Sequence, residues 1–132
     1  MKTTDLKSSR PLSPHLQIYR PIPTMVMSIM HRITGAALYV GTLLLAWWLV
    51  AAASGEAYFE FVSGFFGSFF GRLILFGYTW ALMHHALGGI RHFIWDLGYG
   101  FGKDFSTKMA YATAIGSVSL TCLLWIIGYS LR

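Results

Sequence analysis

Charged residues thin out three times along the chain. Twenty-three residues separate Arg32 from Glu56, eighteen separate Arg72 from Arg91, and twenty-three separate Lys108 from Arg132, and none of them carries a formal charge. About twenty apolar residues in helical form cross a hydrocarbon core of ~30 Å, so each interval is the length of one membrane span. The intervals lack the strict alternation of a barrel strand, and backbone facing lipid must satisfy its own hydrogen bonds, which leaves helices. The pattern predicts an all-α integral membrane protein with three transmembrane helices. Two parts follow: a proline-rich N-terminal segment over residues 1–23, which holds all four prolines, and a three-helix domain over 24–132.

Local signals refine the elements. In RPLSPHLQIYRPIP the prolines are spaced too closely for a helix to persist. Leu12, Leu16, Ile18 and Tyr19 are too apolar for a free tail, so the segment reads as an extended strap. The first helix is expected to start at Thr24, its hydroxyl capping the turn after Pro23, and to end at Ser54-Gly55. Trp47 and Trp48 near its far end are the usual interfacial anchors. The stretch YFEFVSGFFGSFFGR, aromatic and broken by Gly64, Gly67 and Gly71, suits a connection lying along the membrane surface before the second span.

Composition agrees with a bilayer as solvent: 55% of the 132 residues are hydrophobic, 17% aromatic and only 11% charged. Charge adds orientation. Eight of the ten lysines and arginines fall in the N-terminal part (Lys2, Lys7, Arg10, Arg20, Arg32) or the second connection (Arg91, Lys103, Lys108), while the first connection carries Glu56 and Glu60. The positive-inside rule then puts the N-terminus and second loop in the cytoplasm. This distribution accounts for the net charge of +5 through topology and lipid headgroups, with no nucleic acid as partner. The N-terminal part has neither the short apolar core of a signal peptide nor the amphipathic character of a transit peptide, which favours a bacterial inner membrane over a mitochondrial one. The single Cys122 excludes an intrachain disulfide and a CxxC site and is read as a packing residue.

Polar residues inside the spans carry the candidate chemistry. Ser28, His31 and Arg32 share one side of the first helix at spacings of three and four, a possible polar pocket at the cytoplasmic boundary; the plainer reading has Arg32 snorkelling to headgroups. In HHALGGIRHFIWD, His85, Gly88, Gly89 and His92 fall in one helical sector, while His84 points about 100° away. An imidazole buried in lipid requires a partner. Two glycines a turn below it open a slot for a flat ligand, and haem b, held non-covalently because no CxxCH is present, fits that description. The plainer reading gives His85 a hydrogen bond to a neighbouring helix and the glycines a role in packing.

These residues carry a resemblance. HALGGIRHFIWDLGY matches H-x-x-x-G-I-R-H-x-x-x-D, SIMHRITG matches S-I-x-H-R-x-S/T-G, and SPHLQIY precedes it at the expected distance. Together, over about Arg10 to Tyr99, they resemble the cytochrome b large membrane-anchor subunit of succinate dehydrogenase, respiratory complex II. The resemblance implies that His85, four residues before Gly89, is an axial ligand of haem iron. It further implies that Ser28 and Arg32 help bind ubiquinone, and that His31 with Arg32 lies near the haem propionates. The doubled histidine departs from the pattern, and replacing His84 is expected to do little.

By the same resemblance the partners are a flavoprotein subunit, an iron-sulfur subunit and a second small membrane subunit that supplies the other haem ligand. The chain itself has no GxGxxG fingerprint and too few cysteines for an iron-sulfur cluster, so it is expected to act only as a subunit. His92, Arg91 and Asp96 sit at the end of the second span, where pairing with each other, Arg91 with Asp96 above all, and with the partner is favoured over proton relay. Two other classes remain: a small proton or ion transport component with His31, His85 and His92 as relays, and a purely structural anchor without haem.

Overall fold

The computed structural model describes residues 11, 13–15 and 17–131. Four helices follow one another: α1 (Pro23–Ser54), α2 (Glu56–Gly67), α3 (Phe69–Asp96) and α4 (Lys103–Ser130). Among the described residues there is no strand. α1, α3 and α4 are each long and apolar enough to cross a membrane. At 28 to 32 residues they run about 42–48 Å, longer than the hydrocarbon core, so tilt or protruding ends must absorb the excess. The three-span architecture is the one the charge gaps predict, and α2 is the expected aromatic connection in helical form.

The helix starts where backbone chemistry is cheapest. α1 begins at Pro23, one residue earlier than expected, with Ile22 as the capping residue and no side-chain cap. Proline's missing N–H is costless in a first turn and its fixed φ is already helical, so Pro23 opens the helix and the Thr24 hydroxyl is not needed as a cap. Upstream, Leu12 and Leu16 lie outside the described residues. Ile18 and Tyr19 are exposed, while Pro21 and Pro23 line a shallow groove with Ala110 and Tyr111 of α4.

α2 is folded back by two local devices. Gly55 takes φ +125° between α1 and α2, a conformation other residues resist. Ser68 caps α3 by accepting a hydrogen bond from Gly71 N–H at 3.1 Å, and at Gly71 a Cβ would run into the Phe65 carbonyl. Val62 and Phe66 of α2 pack with Ala51, Leu44 and Trp47 of α1. Trp47 Nε1 donates to the Tyr58 hydroxyl at 2.8 Å. Trp47 thus ties α2 down, a role beyond interfacial anchoring.

The bundle is inside-out relative to a water-soluble protein. Leu43, Phe69, Phe70, Phe93 and Ile126 point outward. Buried positions hold Thr34, His84, Arg91, Thr113, Ser117 and Thr121. Lipid is as apolar as leucine, so burying aliphatic side chains gains little there, whereas close contact through small residues and interhelical hydrogen bonds does hold spans together. α3 packs against both α1 and α4, and α1 also touches α4. At Gly41 the Tyr78 ring of α3 lies where a Cβ would be, which brings α1 and α3 together.

Candidate functional site

The site forms where the opening turns of α1 meet the last third of α3. His31 projects from α1 between two histidines of α3. Its ring stacks on His85 with centroids 4.0 Å apart and planes 7° from parallel, and sits 5.0 Å from His92. The room for it comes from Gly88, where a Cβ would overlap the His31 ring. This changes the expected slot: Gly88 is filled by the protein's own imidazole, and of the two glycines only Gly89 has open space beside it, with nothing among the described residues within 4 Å.

His85 is oriented from behind. Its Nδ1 lies 3.1 Å from the His31 carbonyl oxygen and 3.5 Å from Thr34 Oγ1. A carbonyl only accepts, so Nδ1 carries the proton and donates, and Nε2 keeps its lone pair. Thr34, itself buried, donates to the Met30 and His31 carbonyls at 2.9 and 3.0 Å. Gly35 cradles the ring: a Cβ there would stand 3.0 Å from His85 Cε1. An imidazole with one nitrogen committed to a backbone carbonyl and the other free is the arrangement of metal-ligating histidines. The residues present therefore fit a haem iron bound at Nε2.

Ser28 and Arg32 stand on α1 one turn apart, Ser28 half-buried and Arg32 exposed. Among the described residues no hydrogen bond occupies either side chain. The structure thus brings His31 and His85 into contact and leaves Ser28 and Arg32 open on the same stretch of α1.

The remaining polar residues of α3 face elsewhere. His84 is 2% exposed, and its Nδ1 lies 3.3 Å from Ser117 Oγ of α4. Arg91, also 2% exposed, places its guanidinium 4.9 Å above the Trp95 ring. Among the described residues its Nε and Nη1 meet neither Asp96 nor any other acceptor. The expected Arg91–Asp96 pair is replaced by stacking, because Arg91 shares the inner stripe of α3 with Ala81, His84 and Gly88 while Asp96 is exposed.

Thr34 and Gly35 escaped the sequence reading, although both lie inside SIMHRITG, three and four residues after His31. The buried Thr113, Ser117 and Thr121 were equally readable as a polar stripe at four-residue spacing on the third span.

Comparison with known proteins supplies a second line. The profile of the succinate dehydrogenase/fumarate reductase transmembrane subunit family matches residues 7–127. A succinate dehydrogenase cytochrome b556 subunit from Paracoccus denitrificans is 44% identical over 121 residues, 92% of this chain and 93% of that protein. The Rickettsia prowazekii cytochrome b556 subunit is 36% identical over 122 residues, 92% and 95% of the two chains. A mitochondrial succinate dehydrogenase cytochrome b560 subunit from Sus scrofa is 44% identical over 125 residues, 90% of this chain and 74% of that one.

Proposed function

This chain belongs to the succinate dehydrogenase/fumarate reductase transmembrane subunit family, and from that membership we propose that it is the cytochrome b membrane anchor of a succinate:ubiquinone oxidoreductase in a bacterial inner membrane. It works beside a flavoprotein subunit and an iron-sulfur subunit, which supply the electrons, and a second small membrane subunit. His85 would hold the iron of a haem b shared with that membrane subunit, and His31 and Arg32 would meet its propionates. The observation that carries the reading is His85 itself, whose Nδ1 is held by the His31 carbonyl at 3.1 Å while Nε2 is left for a metal. A haem held there would supply one-electron chemistry.

The quinone site is proposed at the opening turns of α1. Ser28 donates its hydroxyl hydrogen to a quinone carbonyl. Arg32 stabilises the negative charge that develops on the quinone oxygens as they are reduced, an effect strong where water is scarce. Both groups are available for this, since no other hydrogen bond among the described residues competes for them.

The deciding experiment is a reduced-minus-oxidised visible spectrum of the purified complex, wild type against His85→Leu. A b-type α-band that is lost or displaced in the variant supports His85 as ligand. An unchanged band overturns that assignment. A featureless wild-type spectrum from an intact complex removes the haem and returns His85 to helix packing.

A further inference from the structure

Two adjacent histidines on one helix pose a problem that the haem reading alone leaves open. Side chains at successive positions point about 100° apart, so turning α3 by a single residue would bring His84 to the direction His85 now takes. Apolar packing is a poor guard against such a turn. The outer surface of α3 is leucine, isoleucine and phenylalanine in most directions, and lipid does not distinguish among them.

The buried contact between α3 and α4 is directional. Ser117 Oγ donates to the Ala114 carbonyl at 2.9 Å, which leaves its lone pairs to accept from His84 Nδ1 at 3.3 Å. Ser117 is fully buried and His84 nearly so. The other side-chain hydrogen bond joining these helices among the described residues, Trp125 Nε1 to Thr79 Oγ1 at 3.3 Å, is only partly buried. The imidazole of His84 is too large and too polar for the facing stripe unless it meets Ser117: Ala110, Thr113 and Thr121 complete that stripe. On the opposite flank, His85 is received by Gly35 and the His31 carbonyl. The two histidines are held by different helices in different directions.

We propose that His84 is a positioning residue for the haem ligand: its buried hydrogen bond to Ser117 fixes the rotation of α3 that aims His85 at α1, and it sequesters His84 as a rival ligand. The inference rests on the haem reading above. It replaces the expectation that His84 is dispensable.

The test uses the whole complex and four variants: His84→Phe, His84→Gln, Ser117→Ala, and His84→Phe combined with Ser117→Ala. The readouts are haem per complex, the shape of the reduced α-band, and the electron paramagnetic resonance of the oxidised haem, which reports ligand orientation. His84→Phe and Ser117→Ala should each lower haem occupancy by roughly 2- to 10-fold, the factor for losing one buried hydrogen bond, and broaden or shift the resonance. The double variant should be no worse than His84→Phe alone, as expected of residues acting as a pair. His84→Gln, whose amide can still donate to Ser117, should recover most of the wild-type signature. If His84→Phe fails to accumulate, Ser117→Ala carries the same test. Additive losses, or a band and resonance unmoved by Ser117→Ala, overturn the proposal while leaving the haem reading intact. A wild-type complex lacking any b-type band overturns both.

Discussion

The carbonyl of His31 serves two donors, the Nδ1–H of His85 and the hydroxyl of Thr34. In Thr34→Val the competing hydroxyl is gone, the carbonyl accepts more strongly from Nδ1, and the imidazole becomes a more basic ligand. A more basic ligand favours oxidised iron. The haem midpoint potential should therefore fall by roughly 20–60 mV, where 59 mV is a tenfold shift for one electron. A redox titration that finds the potential unchanged or raised would contradict this account. Ser28 makes a separate prediction at the quinone. Ser28→Ala removes one neutral hydrogen bond, so the KM for quinone should rise roughly 2- to 10-fold with the haem spectrum retained. Normal turnover in the steady-state assay would reject its role.

At the scale of the element, neighbouring glycines have opposite duties. Gly88 faces inward, where the His31 ring occupies the space a methyl would need, and Gly89 faces open space. Gly88→Ala should destabilise the α1–α3 contact by about 1–3 kcal/mol, since a packed interface must shift to admit the methyl. Gly89→Ala should leave the chain's own fold intact, with a small gain in helix propensity. Accumulation of each variant in membranes, followed by thermal unfolding in detergent, separates them, and equal losses would refute the distinction. This contrast marks the limit of the sequence reading. Three spans, their approximate ends and the shared face of His85, Gly88 and His92 on α3 were legible because hydropathy and the 3.6-residue period encode them. Which of two adjacent glycines takes a partner's ring was not, because their directions differ by one helical step and only the placement of α1 decides between them. The Arg91–Asp96 pair failed for the same reason, since nearness at a helix end said nothing of which residue faced α4.

For the molecule as a whole, the placement of charge governs which side of the membrane the proposed quinone site would serve. The end bearing Ser28, Arg32 and the α3–α4 connection also holds Lys103 and Lys108, whereas Glu56 and Glu60 lie on α2 at the other end. If the positive-inside rule holds here, that end is cytoplasmic, and electrons from the proposed soluble partners would arrive where Ser28 and Arg32 stand. The orientation is testable with single cysteines after the native, exposed Cys122 is replaced by serine. Glu56→Cys should react with a membrane-impermeant maleimide in intact cells made accessible at the outer face. Lys103→Cys should react only once the membrane is opened. Both positions are exposed in the chain, so a failure of Glu56→Cys to label would reflect its side of the bilayer more than burial. Labelling of Lys103→Cys from outside, with Glu56→Cys protected, would invert the topology. The quinone site would then face away from any cytoplasmic electron donor, and the assignment of Ser28 and Arg32 would fall with it, even if His85 still bound haem.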